Sequence, residues 1–266
     1  MEKQFIYNDT TINYRIKGEG RNVVLIHGFP EDNHIFDHQV EFLQKHCRLI
    51  LPDLPGSGKS SLYKKEGVVS IEDYADIIHA LLIQENINHC IMCGHSMGGY
   101  ITLAFAGKYS QVLEGIGLIH STAFEDSEEK KLNRKRSVET MQQYGAYAFL
   151  KNTVPNLFST AYKANHADEI RSLIENGNKF PVEALQQYYI AMMNRPDKTA
   201  VLKSSEVPVL FIIGTEDTAA PLKDVIQQVK LPSTAYFHVL EGVAHMGMWE
   251  ATDKVNEYLL NFIEAV

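Results

Sequence analysis

The octapeptide Cys93–Tyr100, CGHSMGGY, sets Ser96 between Gly94 and Gly98, with an apolar run leading in and a helix-like stretch leading out. A serine hydroxyl attacks a carbonyl carbon only when a base lies within hydrogen-bond reach and N–H donors await the oxyanion. Glycines on both sides suit that chemistry, because a sharp strand-to-helix turn crowds the backbone around an exposed serine. They would suit simple packing at a corner equally well. Ser96 therefore needs a base, an acid and a scaffold supplied from elsewhere in the chain.

Other motifs offer less. Gly56–Ser60, GSGKS, resembles the end of a phosphate-binding loop, but Asp53 stands where that motif needs its first glycine, and Pro52 and Pro55 flank it. Cys90-x-x-Cys93 has redox spacing, yet it lies inside an apparent strand, where residues three apart point to opposite faces. These cysteines read as small core hydrophobes. The eleven histidines form no His-Glu-x-x-His and no compact cluster with carboxylates, so no metal site and no cofactor are expected. The basic run Lys130–Arg136, KKLNRKR, follows acidic residues and reads as a solvated helix face.

The elements that must position Ser96 follow from apolar patterning. Phe5 and Tyr7, then Ile12, Tyr14 and Ile16, alternate about Asn8-Asp9 as a hairpin would. The continuous apolar run Val23–Ile26 and the further mostly apolar runs Cys47–Leu51, Gly115–Ile119, Val209–Ile213 and Tyr236–Leu240 suit strands covered on both faces, as in a parallel sheet. Ile35–Gln44 reads as a helix, and Ser70-x-x-Asp73 caps a second with Ile71, Tyr74, Ile77, Ile78, Leu81 and Leu82 on one stripe. The alternation is α/β. Residues 124–202 break it with helical, polar and aromatic sequence, so an α/β core of residues 1–123 and 203–266 is expected to carry a helical insertion.

A chain of 266 residues can bury a large core, and its formal charge of −8 disfavours nucleic acid or an anionic membrane as partner. No apolar run reaches the length of a membrane span and the N-terminus lacks a signal-like apolar stretch, so a cytoplasmic location is expected.

Five segments, taken in order, resemble the signatures of the α/β-hydrolase family. They are His27-Gly28-Phe29-Pro30; Asp53-Leu54-Pro55-Gly56-Ser57-Gly58-Lys59-Ser60; Gly94-His95-Ser96-Met97-Gly98-Gly99; Gly214-Thr215-Glu216-Asp217 with Pro221; and Gly242-Val243-Ala244-His245 with Glu250. The resemblance covers nearly the whole chain except the insertion. It implies an α/β-hydrolase fold, a mostly parallel sheet flanked by helices with an inserted helical cap. It also makes Ser96 the nucleophile, Asp217 the acid and His245 the base, in the chain order usual for that fold. The residues themselves agree: Asp217 and His245 each follow a buried strand run, and sites on open parallel sheets gather at those carboxyl ends. Glu216 adjoins Asp217, and Glu125 or Asp126 stands where some members of the family carry the acid. The oxyanion donors are expected to be the backbone N–H groups of Phe29 and Met97, with His27 and His95 as supporting residues.

HGFPE at His27–Glu31 also resembles epoxide hydrolases and haloalkane dehalogenases, but those carry aspartate at the elbow. A serine implies a carboxylesterase-like enzyme cleaving a small-molecule acyl substrate. Lactonases, C–C bond hydrolases, perhydrolases and a receptor with little turnover share the scaffold. Tyr144, Tyr147, Phe149, Phe158, Tyr162, Tyr188, Tyr189, Met192 and Met193 could line an apolar acyl or alcohol pocket, though the plainer reading has most of them holding the insertion to the core.

Overall fold

The apolar runs become one eight-stranded sheet in the computed structural model, which describes residues 1–266. The strands are β1 (Glu2–Tyr7), β2 (Thr10–Lys17), β3 (Asn22–Ile26), β4 (Arg48–Pro52), β5 (Cys90–His95), β6 (Leu113–Ile119), β7 (Val209–Gly214) and β8 (Ala235–Leu240). Their spatial order is β1-β2-β4-β3-β5-β6-β7-β8, antiparallel for β1/β2 and β2/β4 and parallel from β4 to β8. Every residue of β5 and β7 is buried, which is why these strands read as unbroken apolar runs. Asn8 and Asp9 both take positive φ at the β1–β2 turn, the geometry a two-residue hairpin needs.

The helices are α1 (Asp37–Leu43), α2 (Ile71–Gln84), α3 (Met97–Tyr109), α4 (Glu128–Thr153), α5 (Thr160–Asn165), α6 (Ala167–Gly177), α7 (Val182–Asn194), α8 (Thr199–Lys203), α9 (Leu222–Val229), α10 (Gly247–Glu250) and α11 (Thr252–Ala265). α2 packs on α3 and α1 on α11. The capping box expected at Ser70 is present: its Oγ accepts from the Asp73 N–H at 3.2 Å, and the Asp73 carboxylate accepts from the Ser70 N–H at 2.7 Å. None of the helices is long and apolar enough to cross a membrane.

Between β6 and β7 the regular structure is all helical, running from α4 to α8, with a break inside α4 at Gly145, where φ is 80°. Polar bonds tie this segment to the loop after β4 and to α2. The Tyr188 hydroxyl donates to the Pro55 carbonyl at 2.7 Å, and Gln187 bridges to Tyr74 and to the Tyr63 carbonyl.

Two sequence motifs resolve simply. The turn around GSGKS wraps a carboxylate of its own chain: Asp53 accepts from the N–H groups of Asn33 and Lys59, each at 3.0 Å, and from Asn13 Nδ2 at 2.9 Å. An anion-binding turn is thus satisfied internally by the residue that replaced the motif's glycine. Cys47, Cys90 and Cys93 are free and buried. Burial pushes the Cys47 thiol up to about 11 and the Cys90 thiol up to about 12, and moves Cys93 further in the same direction. Protonated thiols in a core are unreactive, as the packing reading of Cys90-x-x-Cys93 expects.

Candidate active site

β3 lies between β4 and β5, so the connection from β3 to β4 runs one way along the sheet and the connection from β4 to β5 runs back past β3 to its other side. Such a switch point opens a crevice beyond the carboxyl ends of the strands. The loop after β3 brings His27–Phe29 to this crevice, and the turn after β5 brings Ser96.

Ser96 sits between β5 and α3 with φ 50° and ψ −115°, a conformation L-residues rarely adopt and one costing on the order of 1–3 kcal/mol. Its neighbours hold it there. The Ser96 N–H donates to the Ile119 carbonyl at 2.9 Å, and the Ser96 carbonyl accepts from Ser121 Oγ at 2.8 Å. The glycines have a steric reason: a Cβ at Gly94 would lie 2.1 Å from the Gly98 carbonyl, and one at Gly98 would lie 2.1 Å from the Ile26 carbonyl oxygen.

Asp217 and His245 meet at the ends of β7 and β8. His245 Nδ1 lies 3.0 and 2.9 Å from the two carboxylate oxygens of Asp217, which also accepts from the N–H groups of Ala219 and Ala220. Burial acts to raise the Asp217 carboxyl, but His245 and hydrogen bonds from both neighbouring imidazoles outweigh it and hold the group far below the usual carboxylate range. Because the folded value is depressed, its stabilisation is present above about pH 4 and lost only as pH falls through that lower value. Glu216 is exposed, Glu125 pairs with Lys131, and Asp126 pairs with Arg134 and Arg195, so none of the alternative carboxylates touches His245.

His120, at the end of β6, is a partner the sequence did not reveal. Its Nδ1 lies 2.9 Å from Asp217 Oδ2, and burial pushes it down to about 4, so it donates as a neutral imidazole. The potential ligand atoms of His120, Asp217 and His245 lie within 4.8 Å of one another, but both Nδ1 atoms are engaged with the carboxylate. The one hint in the sequence was a histidine directly after a buried strand.

The supporting histidines act as ties. Leu54 donates its N–H to His27 Nε2 at 2.9 Å, which leaves the His27 proton on Nδ1 to bond the Gly28 carbonyl at 2.8 Å. His95 and Glu31 form a fully buried pair 3.0 Å apart. Glu31 also accepts from the Gly28 N–H at 2.8 Å, and His95 Nε2 lies 2.9 Å from the His245 carbonyl oxygen. One pair therefore joins the loops of Phe29, Ser96 and His245. Burial opposes both charges, yet His95 holds the Glu31 carboxyl below its ordinary value and Glu31 raises His95.

That pair predicts a signature in stability. The Glu31 contribution is full above about pH 4.3 and lost as pH falls through its lowered folded value. The His95 contribution is full below about pH 6.5 and lost as pH climbs through its raised one. Glu31→Gln should cost about 3–5 kcal/mol at pH 6, because it strands a buried imidazolium. It should also flatten the alkaline fall in stability. Urea unfolding of both proteins at pH 6 and 9 checks this, and an unaltered alkaline slope would refute it.

Ser96 and His245 line one cavity of about 220 Å³ with Phe29, Tyr100, Tyr189 and Met192, and with Lys130, Asn133, Arg134 and Ser137 of α4. The N–H groups of Phe29 and Met97 donate to no carbonyl of the chain. Of the nine aromatic and methionine residues expected near a pocket, Tyr189 and Met192 reach it. Tyr144 and Tyr147 are exposed, Phe149 packs on Phe29 and Tyr189, and Phe158 stacks on Tyr162. The basic run divides: Lys130 and Arg134 line the cavity, Lys131 pairs with Glu125 and Glu128, and Lys135 and Arg136 are exposed. The wall is thus more polar than the sequence led one to expect.

Residues 21–162, more than half of the chain, match the family model described as alpha/beta hydrolase fold. The chain is 29% identical over 265 residues to the dihydrolipoyllysine-residue acetyltransferase component of an acetoin cleaving system from Pseudomonas putida, covering 94% of this chain but only 65% of that protein. Among solved structures it resembles a thermophilic esterase from Thermogutta terrifontis, with malate bound, at TM-score 0.92 and 27% identity, covering 100% of this chain and 98% of that one. It also shares the fold of the enol-lactonase from Burkholderia xenovorans LB400, at TM-score 0.91 and 24% identity, covering 98% of this chain and 100% of that one. Sheet order, elbow and family match agree, and the chain belongs to the alpha/beta hydrolase fold family.

Proposed function

We propose that the protein is a serine hydrolase of the carboxylesterase type, with Ser96 as nucleophile, His245 as base and Asp217 as acid. The observation that carries this reading is a strained serine sharing one cavity with an imidazole whose Nδ1 is held by a buried carboxylate. With Nδ1–H bound to Asp217, the His245 tautomer leaves Nε2 free to accept the Ser96 proton. Ser96 attacks the ester carbonyl, and the N–H groups of Phe29 and Met97 stabilise the tetrahedral oxyanion. His245 then protonates the departing alcohol. Water, activated by the same imidazole, releases the acid from the acyl-enzyme. The N-terminus of α3 adds partial positive charge beside the oxyanion. Helices α4 to α8 act as the cap, a reading supported by the residues that α4 and α7 contribute to the cavity lined by Ser96.

A series of p-nitrophenyl esters of increasing acyl length, run beside covalent labelling by a fluorophosphonate, tests the reading. Stoichiometric labelling at Ser96 with steady ester turnover is expected. Absence of both would overturn it, and binding without turnover would indicate a receptor. Lactones are cyclic esters that the same steps would open, so they belong in the series.

A further inference from the structure

Lys130, Asn133, Arg134 and Ser137 recur at spacings of three and four along α4, so one stripe of that helix faces the cavity of Ser96 and His245. No aspartate or glutamate lines this cavity. Lys130 Nζ donates to the Ala219 carbonyl oxygen at 3.0 Å and meets no carboxylate. Arg134 commits Nε to Asp126, which leaves its two terminal nitrogens without a protein acceptor. Asp126 is shared, because Arg195 Nη1 lies 2.9 Å from its other oxygen while that guanidinium stacks 3.9 Å from the Tyr100 ring centroid. One carboxylate thus answers two guanidiniums, and Lys130 adds a third positive charge. The charge of Asp217 is engaged by two imidazoles and two amides. Arg195 stays outside the cavity, and in a chain of net charge −8 the two cations that do line it, Lys130 and Arg134, have no origin in composition.

Resting on the serine-hydrolase reading above, we infer that the substrate is a small ester bearing a carboxylate, held by Lys130 and Arg134 while its ester carbonyl meets Ser96. The guanidinium fork matches the two oxygens of a carboxylate, and the lysine supplies a mobile point charge beside it. A cavity of about 220 Å³ falls below the range of roughly 300–1,000 Å³ that accommodates drug-sized ligands, so the substrate is short. Arg134 lies 5.2 Å from the Tyr189 ring centroid, which fixes its direction within the wall. A purely structural role for α4 would leave a cation bound only to a carbonyl, and open guanidinium nitrogens, at the site of reaction.

Two matched pairs of esters test the inference. Mono-p-nitrophenyl glutarate against p-nitrophenyl pentanoate places the charge on the acyl side; 4-acetoxybenzoate against its methyl ester, read by phenol release, places it on the alcohol side. In one pair the wild-type kcat/KM should favour the anion at least about tenfold at low ionic strength, and the preference should shrink as salt is added. Lys130→Met and Arg134→Gln should each lower that ratio about tenfold; Arg134→Gln leaves Asp126 paired with Arg195, which protects the fold. Calorimetry of glutarate binding to Ser96→Ala, with and without Lys130→Met, gives a reading independent of turnover. Weakening of that binding by Lys130→Met supports the carboxylate site formed by Lys130 and Arg134 even if no ester is cleaved, an outcome that would defeat the hydrolase reading and with it only the ester part of the inference. Ester turnover with Ser96 labelling, but with no preference for the anion in either pair, or a ratio unmoved by both substitutions, overturns the inference and leaves the hydrolase reading intact.

Discussion

Ser96→Ala is expected to lower kcat for a short ester by roughly 10⁴–10⁶, leaving the residual rate that oxyanion donors and substrate binding supply alone. The variant makes a clean test because alanine keeps a Cβ and meets the same backbone constraint at φ 50°. The bonds that hold the turn use the Ser96 N–H and carbonyl, and both survive the substitution. Stability should therefore stay within a fraction of a kcal/mol of wild type while fluorophosphonate labelling vanishes. A variant that hydrolyses esters at a near-normal rate would remove Ser96 from the mechanism.

Asp217→Asn should follow, with kcat lower by about 10⁴. An amide presents one oxygen and one donor where the carboxylate now accepts from His245, His120 and two backbone N–H groups. The imidazole is free to take the other tautomer, which presents the serine with an N–H in place of a lone pair. Because several buried donors lose their acceptor, a loss of stability should accompany the loss of rate. Kinetics are therefore measured well below the melting temperature of the variant. Glu125→Gln is the matched control, its carboxylate being exposed and paired with Lys131. If Glu125→Gln carries the loss and Asp217→Asn does not, the acid has been assigned to the wrong strand end.

The strands and the elbow were legible in the sequence for a shared physical reason. A parallel strand covered on both faces must be mostly apolar, as β5 is up to Cys93 and β7 is along its length, and the turn after β5 tolerates only glycine where the Gly98 and Ile26 carbonyls press in. These requirements are local and leave a mark residue by residue. The cavity wall was not legible, because a basic run on a helix looks the same whether it faces water or a site. Only the docking of α4 decides that Lys130 and Arg134 turn inward while Lys135 and Arg136 turn out. The links of His120 to Asp217 and of Glu31 to His95 leave no mark in the sequence for a related reason: they join residues 97 and 64 positions apart.

The helical segment also touches the His245 loop directly. Leu157 gives its carbonyl to the His245 N–H at 2.9 Å, and Glu250 receives the Ser159 N–H at 3.0 Å and the Ala244 N–H at 3.2 Å. This bears on grafting and on descent by exchange of inserted segments. A transplanted lid could bring a new cavity wall without disturbing the elbow, but the short stretch Leu157–Ser159 is part of the mount for the imidazole. A chimera that retains this stretch with the core keeps the orientation of the His245 ring; one that discards it must supply a replacement carbonyl and N–H at the same two points.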